Sequence, residues 1–219
     1  MDDTEARPYA AFARLSLREL LDRLSSSDPV PGGGSAAALA GAMGASLVSM
    51  VAALTVGRAE YAEVDAIVRE IGEAASSLRD ELIELAERDS DAYQAVVTAR
   101  RLPRESDEQR SARARAMSSA VVQAAEVPLR TARVARQALK LAGRIAPIGN
   151  RNAVSDAGVA ALLAAAAIRG AILNVRINLP YLPEDAPIRG EAGAELSRLE
   201  QEVTTLEAAA LTDVATRIG

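Results

Sequence analysis

The chain has 219 residues, 49% hydrophobic and 25% charged, with a formal net charge of -5. That is enough for one large domain over residues 1–219, and the acidic balance argues against a nucleic-acid partner. Cysteine and histidine are absent, which excludes disulfides, thiolate nucleophiles, imidazole acid–base chemistry and zinc sites of the usual kind.

The acidic start, Met1-Asp2-Asp3-Thr4-Glu5, does not resemble a secretory signal, so a cytoplasmic protein is expected. Ser16-Leu17-Arg18-Glu19 is a capping box that opens a short helix over about 17–25, with Leu17, Leu20, Leu21 and Leu24 as its apolar stripe. Asp28-Pro29-Val30-Pro31-Gly32-Gly33-Gly34-Ser35 follows. Its prolines stop the preceding helix, and its glycines leave a corner of backbone N–H groups with no side chains in the way. Ser35 is placed to cap a helix over about 35–56. The corner is either a tight entry into a closely packed helix or a cradle for an anionic or carbonyl-bearing ligand. No charge occurs from Pro29 to Gly57. Gly41, Gly44, Ser46, Ser49 and Thr55 nevertheless make this stretch weakly hydrophobic, so a buried central helix is expected rather than a membrane span.

From Val64 to Arg101 apolar residues recur at helical spacing, and Leu102-Pro103 closes the run. Ser106-Asp107-Glu108-Gln109 is a second capping box, opening a helix to about Ala142 that Pro128 should kink or break. After the loop at Pro147–Asn152, Ser155 or Asn152 should cap a helix to about Leu179. Its segment from Ala157 to Ile168 is apolar all round and should be buried on every side. Beyond a Pro-rich connection, a last helix over about 191–218 carries Leu196, Leu199, Val203, Leu206 and Ala210 as a packing stripe or a dimer seam. The fold expected is all-α: a multihelical array with buried central Ala/Gly-rich helices surrounded by longer amphipathic ones.

Four loci can carry chemistry: the Gly32–Ser35 corner, Asp89-Ser90-Asp91 on a helix, the cationic end at Arg100, Arg101 and Arg104, and Asn150–Asp156 with Asn174 and Asn178 at the far end of its helix. Each has a plain reading too, as a solvated charge, a helix-end complement or a first-turn acid. Asn174, an amide in an apolar helix, needs hydrogen-bond partners and serves either a helix contact or a ligand.

Taken together, Pro31-Gly32-Gly33-Gly34-Ser35, Asp89 with Ala92-Tyr93, Arg101-Leu102-Pro103, Val127-Pro128-Leu129, Asn152-Ala153-Val154-Ser155-Asp156 and Asn174-Val175-Arg176-Ile177-Asn178-Leu179 resemble the cyclodeaminase/cyclohydrolase family. That family comprises the C-terminal domain of formiminotransferase–cyclodeaminase and stand-alone methenyltetrahydrofolate cyclohydrolases. The resemblance covers about Leu17 to Glu207. It implies an all-helical dimer acting on the one-carbon unit that bridges N5 and N10 of tetrahydrofolate; no motif in the chain demands a metal or a cofactor beyond the folate substrate. Arg104 stands where the family often has lysine; it keeps the charge but cannot act as a neutral amine.

The expected reaction is hydrolysis of 5,10-methenyltetrahydrofolate to 10-formyltetrahydrofolate. The alternatives are closure of 5-formiminotetrahydrofolate with ammonia release and, from another class, a non-catalytic folate-binding scaffold. In a chain without histidine a carboxylate is the natural proton shuttle, and burial would raise its pKa towards neutrality. Asp89 and Asp156 are the expected acid–base or electrostatic pair. Asn150, Asn152, Ser155, Asn174 and Asn178 are candidates for the pterin or formyl oxygen. The Gly32, Gly33, Gly34 and Ser35 amides are candidates for a substrate oxygen or the tail carboxylates, and Arg101 and Arg104 for the glutamate tail.

Overall fold

The computed structural model describes residues 12–219, so the acidic start Met1–Glu5 lies outside it. The described residues form six α-helices and no strand, an all-α multihelical array. A 3-10 turn at Phe12–Arg14 leads into α1 (Leu17–Leu24). The capping box of α1 is closed: Ser16 Oγ accepts from the Glu19 N–H, and the Glu19 carboxylate accepts from the Ser16 N–H at 2.7 Å.

α2 (Gly33–Ala53) and α5 (Val154–Asn178) run antiparallel through the middle, with Gly33 beside Asn174 and Gly44 beside Ala160 and Ala164. The small residues set this approach. A Cβ on Gly44 would lie 2.9 Å from the Ala160 carbonyl oxygen and 3.2 Å from the Ala164 nitrogen, so backbone passes where a side chain would stand. α3 (Asp65–Arg101) and α4 (Asp107–Ile145) form a long antiparallel hairpin around this pair, and α6 (Pro187–Ile218) lies across α4 and α5. Leu196, Leu199, Val203 and Ala210 are buried, so the stripe on the last helix packs on the chain's own body. Each leucine fully buried there contributes about 1.5–3 kcal/mol.

Four expectations need correction. α2 begins at Gly33 with Gly32 as N-cap, and Ser35 sits in the first turn; its hydroxyl bonds across to α3 instead of capping. Neither Ser155 nor Asn152 caps α5. Asn150 instead accepts from the Asn152 N–H at 2.9 Å, opening a 3-10 turn at Arg151–Ala153 that feeds the helix. Of the kink or break expected at Pro128, the break does not occur: α4 continues to Ile145. Proline removes the N–H that Ala124 O would accept in a regular helix, and the Asn178 side-chain amide donates to that carbonyl at 2.9 Å. An amide on α5 thus replaces the missing donor of α4.

Finally, α5 is not buried on every side. Val159, Leu162, Leu173 and Ile177 are exposed, as are Met43, Met50 and Leu54 on α2. By length and composition α2 and the segment Arg151–Tyr181 could each cross a membrane, yet half or more of each is buried inside the bundle. The two helices share one uncovered apolar face.

Candidate functional site

Asp89 comes from the inner face of α3, a stripe that continues upward from Leu82, Leu85 and Ala86. Its carboxylate lies directly over the first turn of α2. A Cβ on Gly34 would fall 2.1 Å from Oδ1, 2.5 Å from Cγ and 2.6 Å from Oδ2, so only glycine leaves room for the acid. The Ser35 hydroxyl is 3.1 Å from Oδ2. Burial raises the pKa of Asp89 above the ordinary carboxylate value; the Ser35 hydroxyl and backbone N–H oppose that shift without cancelling it. The result is a half-buried acid that exchanges a proton more readily near neutrality than a solvated one.

Asn174 faces the same corner. A Cβ on Gly33 would lie 3.7 Å from its Nδ2 and 3.9 Å from its Oδ1. Its Nδ2 donates to the Gly170 carbonyl at 2.9 Å. One turn on, Asn178 spends both amide hydrogens on Ala124 O and Asn174 O, each at 2.9 Å. Gly32–Ser35, Asp89 and Asn174 thus form one cluster, fixed by Asn178 to α4. On the neighbouring face of α3, Arg88, Asp91 and Ala92 line a groove of about 340 Å³ with Gln123, Glu126 and Val127 of α4.

The other predicted residues lie elsewhere. Asn150 is buried at the far end of α2: its backbone N–H donates to Thr55 Oγ1 at 2.8 Å and its Nδ2 to Leu54 O at 3.0 Å. Asn152, Ser155 and Asp156 gather at that same end. α5 carries Asp156 about 27 Å from Asn174 at 1.5 Å per residue. Within one chain, therefore, Asp89 and Asp156 are not brought together. Arg101 and Arg104 are exposed at the α3–α4 connection, Arg101 about 18 Å along α3 from Asp89.

Ser90, which lies within the Asp89-Ser90-Asp91 locus but carries no expected role, is buried, with Oγ 3.1 Å from Ser35 Oγ. Its signal is present in the sequence: a hydroxyl continuing an otherwise apolar stripe.

The family profile described as formiminotransferase-cyclodeaminase matches residues 16–197. The chain belongs to the formiminotransferase-cyclodeaminase family. It is 44% identical to a methenyltetrahydrofolate cyclohydrolase of Methylorubrum extorquens over 87% of this chain and 91% of that one. A formimidoyltransferase-cyclodeaminase of Sus scrofa is 33% identical over 94% of this chain, which spans only 38% of that larger protein. The crystal structure of a formiminotetrahydrofolate cyclodeaminase from Thermotoga maritima superposes with a TM-score of 0.83 at 29% identity, covering 94% of this chain and 99% of that one.

Proposed function

We propose that the protein hydrolyses 5,10-methenyltetrahydrofolate to 10-formyltetrahydrofolate, with Asp89 as proton carrier. The observation that carries this reading is the Asp89 carboxylate laid on the glycine turn of α2, desolvated and held by Ser35. The substrate cation is spread over N5, the bridging carbon and N10. Water attacks that carbon while Asp89 accepts one of its protons. The tetrahedral adduct then breaks its bond to N5, and Asp89 returns the proton to N5. As the formyl C=O forms, the adduct's hydroxyl sheds the second proton to solvent. The first-turn amides of α2 and the Asn174 amide are suited to hold a substrate oxygen. Arg101 and Arg104 are suited to the glutamate carboxylates, since an arginine arm and an extended p-aminobenzoylglutamate tail together span the distance. The reaction as proposed uses the folate substrate, water and the chain's own side chains.

A cytoplasmic homodimer is part of the proposal. Ala36, Ala40, Met43, Leu47, Met50 and Leu54 fall on one seven-residue stripe of α2, flanked by the exposed Val159, Leu162, Leu173 and Ile177 of α5. A second copy covers this face. A two-fold axis in the plane of the face and perpendicular to the helices carries the partner's Asp156, with its Asn150, Asn152 and Ser155, to the Asp89 end. The pair then forms between subunits. Mixing Asp89→Asn with Asp156→Asn subunits tests this. Hybrid dimers then hold one intact site, and about a quarter of wild-type activity should return on random exchange; no recovery would place the two acids in separate roles.

The similarity to the Thermotoga cyclodeaminase favours a second reading, closure of 5-formiminotetrahydrofolate with loss of ammonia at the same carbon. Loss of the near-ultraviolet absorption of methenyltetrahydrofolate tests the first reaction, and ammonia release tests the second. Folate binding with turnover of neither substrate would leave a binding scaffold.

A further inference from the structure

We propose that Ser90 is a positioning residue which, acting through the Ser35 hydroxyl, lets Asp89 gain and lose its proton without leaving a buried polar atom unpaired. The inference rests on Asp89 being the proton carrier. Ser35 is fully buried and Ser90 nearly so. Around Ser35 Oγ stand three groups: the Ala86 carbonyl at 2.9 Å, Asp89 Oδ2 at 3.1 Å and Ser90 Oγ at 3.1 Å. A hydroxyl offers one hydrogen and two lone pairs; this arrangement uses all three when Asp89 is protonated, and the hydrogen and one lone pair when it is ionised.

With Asp89 ionised, Ser35 turns its hydrogen to Oδ2 and accepts one from Ser90. With Asp89 protonated on Oδ2, the acid donates to Ser35 Oγ, Ser35 turns its hydrogen to the Ala86 carbonyl, and Ser90 keeps donating to the second lone pair. The change needs only rotation of one hydroxyl, and no heavy atom moves. Donation from Ser90 also makes Ser35 a better donor to the carboxylate, because chained hydrogen bonds polarise one another.

Little else at this level of the bundle competes. α2 has no ionisable side chain, and α5 presents the amide of Asn174. Among the described residues, the ionisable groups within a turn of Asp89 on α3 include Arg88, Asp91 and Tyr93, and Glu126 of α4 lies across the groove that Arg88 and Asp91 line. Substituting either serine alters none of them.

Titration of Asp89 by carboxyl 13C NMR, its signal assigned through Asp89→Asn, tests the coupling without any substrate. Absence of turnover would therefore count against the reaction and not against this relay. Ser35→Ala should raise the Asp89 midpoint by about one pH unit, the size of a hydrogen bond to a charge. Ser90→Ala should raise it by roughly half a unit, and Ser90→Thr should restore the wild-type value. The double variant should match Ser35→Ala alone, since Ser90 works only through Ser35. If Ser90→Ala does not fold, Ser90→Cys, whose thiol is a weak donor, should give a smaller upward shift. An unchanged midpoint in the Ser90 variants, or a Ser90→Ala shift that persists in full when Ser35 is already alanine, overturns the proposal.

Discussion

Gly34→Ala is the sharpest test of how this site is built. The added methyl would lie 2.1–2.6 Å from three atoms of the Asp89 carboxyl group. Ordinary contact is about 3.5 Å, so the carboxylate must retreat by about 1 Å or more. The Ser35 hydroxyl, now 3.1 Å from Oδ2, then passes beyond hydrogen-bond reach. A displacement of that size at a reacting group costs about 100-fold in rate. The fold itself should survive. Gly34 has no left-handed backbone to protect, and alanine in a helical turn regains about 0.4–1 kcal/mol through the unfolded chain. Turnover of methenyltetrahydrofolate would be followed by its near-ultraviolet absorption and folding by thermal melting. Gly193→Ala, where an added methyl meets nothing within 4 Å, serves as the control. Wild-type turnover in Gly34→Ala would refute the claim that the carboxylate works from the helix end.

Asp89→Asn should lower turnover about 100-fold or more. It should also change the pH dependence of stability. The folded pKa of Asp89 lies above the ordinary aspartate value of 3.8, so between that value and the folded pKa the native state binds the extra proton. Wild-type stability should thus fall relative to Asp89→Asn as pH rises from about 3.8; melting curves whose difference stays flat with pH would contradict the burial argument. Asn178→Ala should destabilise by about 1–3 kcal/mol by leaving the Ala124 carbonyl unpaired, and Pro128→Ala should remove most of that penalty by restoring the backbone donor. Additive effects in this double-mutant cycle would rule out the repair. Leu162→Glu places a charge on the shared apolar face of α2 and α5 and should convert a dimer to a monomer in sedimentation; an intact dimer would move the interface elsewhere.

Residue pattern alone was enough for the helices. Spacings of three and four, two capping boxes and the glycine–proline corners depend on neighbours within a turn, and local physics enforces them whatever the chain does later. The same locality explains the errors. Pro128 reads as a kink or a break because its rescuer, Asn178, lies on another helix. Ser35 reads as a cap because Ala86, Asp89 and Ser90 reach it only when α3 packs on α2.

Asp89 could be picked out as a shuttle candidate from residue type, but its desolvation could not, because burial belongs to the packed bundle and not to the acid. Distance along the chain is equally silent about Asp89 and Asp156. The antiparallel run of α2 and α5 sets them at opposite ends of the molecule, since glycine and alanine let two backbones slide into close contact in that one register. Sequence thus determined which segments coil and which groups have usable chemistry. Tertiary packing decided which of those groups meet, because contact across helices is a property of the filled interior rather than of any one segment.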